Sequence, residues 1–124
     1  MAKPGTVIGW LVAEDDRERL LRQFPPKYEK AVAHHVTLKT DAASDPLPPE
    51  VGAEIVGRTD DEKGVEAMVV AIYGTCDRPD GSTYHITWSL ADGRRARESN
   101  DVLKERGWIE LDQPIKVKLE PGRF

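Results

Sequence analysis

The sequence of 124 residues contains one cysteine, two phenylalanines and no hydrophobic run of transmembrane length. The single cysteine, Cys76, excludes an internal disulfide and a thiolate metal cluster, and it is typical of a reducing compartment. The first residues lack the apolar segment and the cleavage site of a signal peptide. We therefore expect a cytoplasmic protein that has no membrane partner.

The chain also lacks an excess of positive charge, since 18 Lys and Arg face 22 Asp and Glu and the net charge is −4. This balance excludes an overall basic field for long nucleic acid, although a local patch remains compatible with a small phosphorylated substrate or an RNA end. The sequence contains no Walker-type glycine loop, dinucleotide fingerprint, Gly-x-Ser-x-Gly elbow or metalloprotease helix motif. The function must therefore be inferred from other patterns.

Hydrophobic periodicity and turn residues predict one α+β domain over residues 1–124, with a largely antiparallel sheet. Two short helices are predicted, one with Asp15 as N-cap and one that begins with Ser99 as N-cap and ends at Gly107. Residues 41–50 contain three prolines and form a loop. The arms at 51–59 and 65–74 form a hairpin, and the second arm is a central strand because it is apolar on both faces. The other predicted strands are 6–12, 31–39, 83–90, 108–111 and 115–119.

One pattern occurs twice, as His-Val-Thr-Leu at residues 35–38 and as His-Ile-Thr-Trp at residues 85–88. Residues two apart in a strand project from the same face, so each histidine shares a face with its threonine, and Trp88 faces the core. If the two strands are neighbours, two imidazoles and two hydroxyls converge on one cleft. The alternative is that these residues are ordinary members of a half-exposed sheet face, where threonine is favoured for its strand propensity.

Such a cleft is suited to phosphodiester hydrolysis. Opening a cyclic phosphate with water requires a base for the nucleophile, an acid for the leaving oxygen and donors for the phosphoryl oxygens. Two histidines with an ordinary pKa near 6.5 can hold opposite protonation states close to neutral pH. We assign His85 as the base and His35 as the acid, an order that the sequence leaves open, and Thr37 and Thr87 as phosphate donors.

His34, the third histidine, is out of phase with His35, so strand alternation predicts that it faces the core or a neighbouring element. Adjacent residues of a strand cannot point the same way, and no carboxylate or cysteine lies at ligand spacing from the histidines. We therefore expect no metal and no other cofactor.

A basic loop at residues 92–98 leads into the second predicted helix. Guanidinium groups and free backbone amides before a helix N-terminus can hold a phosphate. Arg94, Arg95, Arg97 and Ser99 are thus candidate phosphate-binding residues. The other interpretation is a solvated loop followed by a capped helix.

The paired His-x-Thr pattern resembles the signature of the 2H phosphoesterase superfamily. The segment from His85 through the basic loop to Leu103 is similar to the cyclic phosphodiesterase domain of fungal tRNA ligases. The resemblance implies a bilobed α+β fold with a pseudo-two-fold, metal-independent cleft. It also implies His35 and His85 as catalytic residues, Thr37 and Thr87 as phosphate-binding hydroxyls, and a 2′-phosphate product.

We therefore expect a monomeric cyclic phosphodiesterase that acts in RNA repair or tRNA processing, beside a separate RNA kinase or ligase. Its substrate class includes nucleoside 2′,3′-cyclic phosphates, RNA ends, cyclic phosphates of ADP-ribose and cyclic oligonucleotides. Two alternatives stay open. The first is a non-catalytic module that binds a nucleotide or RNA end in the same cleft, and the second is a small interaction domain whose histidines are merely exposed.

Overall fold

The computed structural model describes residues 4–124, which form an α+β fold with one curled, antiparallel sheet and two short helices. The predicted fold class is confirmed. Neither helix of this range is long and apolar enough to cross a membrane. The helices are α1 (Glu14–Gln23) and α2 (Glu98–Arg106). The strands are β1 (Ile8–Val12), β2 (Lys30–Ala31), β3 (His35–Lys39), β4 (Ala53–Asp60), β5 (Val65–Ile72), β6 (His85–Leu90), β7 (Ile109–Val117) and β8 (Leu119–Arg123).

The sheet has the strand order β7-β4-β5-β6-β3-β1-β8, and the short β2 pairs with β6 off this path. Every pairing is antiparallel. The predicted hairpin is confirmed as β4 and β5, and β5 is central and buried along its whole length, as its apolar sequence indicated. The two strands that carry the repeated pattern, β3 and β6, are direct neighbours in this continuous sheet.

The main hydrophobic core lies on the sheet face that carries the apolar residues of both repeats. Val36 and Ile86 pair across β3 and β6 and are fully buried, and Trp88 is confirmed as a core residue. The Trp88 indole nitrogen donates a hydrogen bond to the Phe24 carbonyl after α1, and Leu20 of α1 is buried in the same cluster. Because side chains alternate along a strand, this packing directs the histidines and threonines to the opposite face.

Both helices begin differently from the prediction. α1 follows Ala13, so Asp15 lies inside its first turn, and α2 follows Arg97, so Ser99 lies inside the helix. Within the described residues, neither helix has a side-chain cap, and the prediction of Asp15 and Ser99 as N-caps is wrong. Acidic residues in each first turn interact favourably with the helix dipole instead. Gly107, with φ +68°, ends α2 as predicted.

The strand predicted over residues 31–39 is interrupted between β2 and β3. Ala33 adopts the left-handed conformation, with φ +43°, and this breaks the alternation of side chains. The Arg17 guanidinium of α1 supports the interruption by donating to the Val32 and Ala33 carbonyls, at 3.0 and 3.2 Å. As a result His34 is exposed and lies beside His35, so the prediction that it faces the core or a neighbouring element, on the side opposite His35, is wrong.

The C-terminal strands β7 and β8 lie at the two ends of the strand order, on either side of the strands that carry the repeated motifs. β7 joins most of the two segments that were predicted as separate strands, 108–111 and 115–119, and ends at Val117, while β8 begins at Leu119 and pairs with β1. Beyond β8, Val7 and Phe124 exchange two backbone hydrogen bonds, of 3.1 and 2.9 Å. This pairing places the Phe124 ring against His35, with 4.3 Å between the ring centroids.

Candidate active site

The pairing of β3 with β6 brings the repeated motifs into one cavity. Val36 is paired with Ile86, so in the antiparallel register His35 lies across from Thr87, and Thr37 lies across from His85. All four of these side chains line a cavity of about 500 Å³. The other lining residues are Pro4, Val7, His34, Thr40, Arg78, Ala96, Arg97, Asn100 and Phe124.

His85 has a fixed hydrogen bond that determines its tautomer. Its Nδ1 atom lies 2.8 Å from the Thr83 carbonyl oxygen, and a carbonyl can only accept, so Nδ1 carries the proton. The neutral ring then keeps its lone pair on Nε2. Burial lowers the pKa of His85, the nearby Arg78 charge lowers it further, and the Thr83 carbonyl opposes them. His85 is therefore a neutral ring near pH 7, equipped to accept a proton.

His35 is partly buried, and its ring packs against Phe124. Burial is the largest cause that lowers the pKa of His35 to about 4, followed by the charges of His34 and His85. Its Nδ1 atom lies 2.9 Å from the Nδ1 atom of His34. An anion between the two motif histidines would oppose these charge effects and would make protonation of His35 more favourable.

The two motif threonines differ in their hydrogen bonds. The Thr37 hydroxyl has no hydrogen-bond partner among residues 4–124 and is free to donate into the cavity. The Thr87 hydroxyl donates to the Ala96 carbonyl at 3.2 Å and lies 2.9 Å from the Ser99 hydroxyl. Because Thr87 has one proton, the Ser99 hydroxyl is the donor in that second bond.

Ser99 was predicted to bind phosphate, but it is completely buried and supports Thr87 from behind. Its position inside the first turn of α2, directly after the basic loop, explains the difference. Ser99 thus acts on the cavity through the orientation of Thr87.

Of the three predicted arginines, Arg97 alone is among the cavity-lining residues of the described chain. Arg94 forms ion pairs with Asp61 at 2.8 Å and with Glu98 at 2.7 Å, and its guanidinium also donates to the Lys63 carbonyl. These partners hold it at the β4–β5 turn, away from the histidines. The Arg95 side chain is exposed, and its backbone amide donates to Glu98. The structure thus does not bring Arg94 or Arg95 into the cavity with the histidines, and their role as phosphate ligands stays a prediction.

Arg78 is a cationic lining residue that the sequence reasoning missed. Its side chain is 10% exposed and donates to both carboxylate oxygens of Asp80, at 3.1 and 2.9 Å. A third nitrogen lies 3.5 Å from the Thr37 carbonyl oxygen. Arg78 belongs to the polar turn that leads into β6, the second motif strand. This position close to the motif is the sequence feature that could have identified Arg78 as a site residue.

Asn100 and Phe124 were not predicted as site residues, although Asn100 lies in the segment between His85 and Leu103 on which the resemblance was based; Phe124 belongs to no recognised motif. The Asn100 amide nitrogen donates to the Arg97 carbonyl, and within residues 4–124 its buried Oδ1 atom has no hydrogen-bond partner. Among the same residues, no group of three or more His, Cys, Asp or Glu side chains is arranged to hold a metal ion. The cavity instead combines three imidazoles with two guanidinium groups.

Comparison with protein-family models, with curated proteins and with solved structures finds no match for this chain. The resemblance to 2H phosphoesterases therefore rests on the repeated motif. The geometry of the cavity is the independent basis for a functional proposal.

Proposed function

We propose that the protein is a metal-independent phosphodiesterase that hydrolyses a cyclic phosphodiester to a 2′-phosphate. The preferred substrate is the 2′,3′-cyclic phosphate of a nucleotide or of an RNA end. The observation that carries the proposal is the shared cavity, where His35 and His85 project from adjacent antiparallel strands beside Thr37, Arg78 and Arg97. This set supplies an acid, a base and several phosphate donors in one place.

The geometry supports a concerted role for the two histidines. The Nε2 atom of His85 takes a proton from water as the water oxygen bonds to phosphorus. The bond from phosphorus to the 3′ oxygen breaks, and His35 gives that oxygen a proton. After the step His85 is protonated and His35 is neutral, and exchange with solvent restores both. The hydrogen bond from His85 to Thr83 supports the assignment of His85 as the base, because it leaves Nε2 unprotonated.

The cationic lining stabilises the charge of the phosphoryl group. Arg78 is held in place by Asp80, so little side-chain freedom is lost when it binds an anion. Thr37 donates to one non-bridging oxygen, and Arg97 is available for another. These donors are present before the substrate arrives, which is the condition for effective electrostatic stabilisation.

A second candidate is a non-catalytic module that binds a nucleotide or RNA end in the same cavity. The depressed pKa of His35, about 4, favours this alternative because it makes the acid form scarce near neutral pH. In either case we infer a cytoplasmic protein, since the single cysteine fits a reducing compartment. A role in RNA repair or tRNA processing beside a separate kinase or ligase follows from the resemblance.

The test is a panel of cyclic phosphodiesters incubated in EDTA, with products identified by phosphorus NMR. We expect the wild-type protein to convert a nucleoside 2′,3′-cyclic phosphate to the 2′-phosphate. His35→Ala and His85→Ala should each lower turnover by about 100-fold or more. Arg22→Ala, at an exposed position of α1 that is not among the cavity-lining residues, is the matched control and should keep full activity.

Near-wild-type turnover in either histidine variant would overturn the two-histidine mechanism. Saturable binding of cyclic nucleotides without any product over hours would establish the binding module instead.

A further inference from the structure

The two motif histidines differ in the group that contacts their Nδ1 atoms. His85 contacts the Thr83 carbonyl, which accepts a hydrogen bond at every pH. His35 contacts the Nδ1 atom of His34 at 2.9 Å, and the two rings are nearly perpendicular, at 84°. An imidazole nitrogen can either carry a proton or accept a hydrogen bond, so this contact requires one proton between the two nitrogens.

The local backbone is arranged to produce this contact. Ala33 has φ +43°, a left-handed conformation that is strained for a residue with a side chain. Arg17 donates to the Val32 and Ala33 carbonyls and holds the interruption between β2 and β3. Without this interruption, strand alternation would direct His34 away from His35. A strained residue that is held in place beside a candidate catalytic group is typical of a functional site.

We propose that His34 and His35 form a dyad in which the exposed His34 carries the positive charge and replaces the proton that His35 delivers to the leaving oxygen. This inference rests on the proposed function. In the charged dyad, His34 donates its Nδ1 proton to Nδ1 of His35, whose own proton is on Nε2. As the Nε2 proton moves to the leaving oxygen, the His34 proton moves to Nδ1 of His35. Both rings are then neutral, and the next solvent proton restores the charge.

The dyad explains how His35 can act as an acid although burial disfavours a positive charge on its ring. His35 is partly buried and its ring contacts Phe124, so a positive charge there is poorly solvated, whereas the His34 ring is exposed to water. The charge therefore resides mainly on His34, and the acidic proton remains on His35. Within residues 4–124, the other titratable and charged side chains that line the cavity with the dyad are His85, Arg78 and Arg97. All three are cationic when charged, and they favour a single shared proton over two.

His34 is a positioning residue, because it acts through His35 and need not touch the substrate. The structure provides a matched variant, since the Asn side chain of His34→Asn places a hydrogen-bonding atom near the position of Nδ1 but cannot carry the proton. His34 is exposed, so this substitution should leave folding intact, which thermal unfolding verifies. Arg22→Ala serves again as the unrelated surface control.

The experiment combines nitrogen-15 NMR of the histidine rings with the pH dependence of turnover. In the wild-type protein, the Nδ1 signals of His34 and His35 should titrate together. In His34→Asn, the proton is no longer shared with an exposed imidazole, so the His35 ring should titrate alone and below the pH at which the shared proton of the wild-type dyad dissociates. With a 2′,3′-cyclic nucleotide, His34→Asn should lower kcat by about tenfold or more at neutral pH, leave KM nearly unchanged and shift the alkaline limb of the profile to lower pH.

Independent titration of the two rings, or an unchanged pH profile in His34→Asn, would overturn the dyad while leaving the proposed function in place. Coupled titration without turnover of any cyclic phosphodiester by the wild-type protein would overturn the proposed function and the delivery step together.

Discussion

At the scale of single residues, the two motifs are alike in sequence but have different local environments. Thr37 is free to donate, whereas Thr87 is held by Ala96 and Ser99. His85 contacts a backbone carbonyl, whereas His35 contacts another imidazole. The pseudo-symmetric pattern thus builds an asymmetric site, as a reaction that needs one acid and one base requires.

The difference between the threonines leads to a testable contrast. Thr37→Val removes one donor to a charged phosphoryl oxygen, worth about 1.5–3 kcal/mol, so turnover should fall by about 10- to 100-fold with little change in stability. Thr87→Val leaves the buried Ser99 hydroxyl and the Ala96 carbonyl without their partner, and should lower the free energy of unfolding by about 1–3 kcal/mol. Steady-state kinetics and urea unfolding of both variants measure the contrast. Equal effects of the two substitutions on both quantities would contradict it.

The depressed pKa of His35 predicts how stability depends on pH. The folded protein resists protonation of His35 down to about pH 4, whereas the unfolded chain takes up that proton near pH 6.5. The contribution of His35 to the free energy of unfolding is therefore complete above about pH 6.5. It is lost as the pH decreases towards about 4, and the loss is roughly 3 kcal/mol. His35→Asn should show a smaller loss than the wild type in urea unfolding across this range. Identical pH dependence of the two proteins would show that His35 is not the group responsible.

At the scale of secondary structure elements, the interruption between β2 and β3 determines the geometry of the site. Strand alternation predicted the face of His35, Thr37, His85 and Thr87 because those residues lie in regular strands. It failed for His34, since a left-handed alanine has no sequence signal. The start of α2 was also misplaced, because the Ser99 hydroxyl is engaged by Thr87, a partner from another element.

Arg17 connects α1 to this interruption, so its removal should affect both stability and the site. Arg17→Ala removes three hydrogen-bond contacts to the Val32 and Ala33 carbonyls. We expect a loss of about 1–2 kcal/mol in the free energy of unfolding, together with weaker coupling of His34 to His35 in the ring nitrogen spectra. Arg22→Ala, an exposed position on the same helix, is the matched control and should change neither measurement. An Arg17 variant that behaves like this control would show that the interruption is stable without the arginine.

At the scale of the whole molecule, local charge at the site contrasts with overall charge. The net charge is −4, yet the cavity is lined by Arg78, Arg97 and three histidines. Composition alone predicted the absence of a general basic surface. It could not predict which arginines line the cavity, because Arg94 is held by Asp61, a residue 33 positions away in sequence.

This charge distribution predicts recognition of a terminal phosphate rather than of a long strand. For an RNA oligonucleotide ending in a 2′,3′-cyclic phosphate, the logarithm of the apparent affinity should fall with the logarithm of salt concentration with a slope of about −1 to −2. KM measured between about 50 and about 200 mM salt gives this slope. A slope of about −5 or steeper would indicate extended contacts along the RNA backbone, contrary to the account.

The central claim is that His35 and His85 act as one unit on a single phosphorus atom. The most direct measurement is the single-turnover rate of 2′,3′-cyclic nucleotide hydrolysis in EDTA for the wild type, His35→Ala, His85→Ala and the double variant. We predict that each single substitution lowers the rate by about 100-fold or more and that the double substitution is little worse than either, because groups that act together are non-additive. A wild-type rate in either single variant, or losses that simply multiply in the double variant, would contradict the claim.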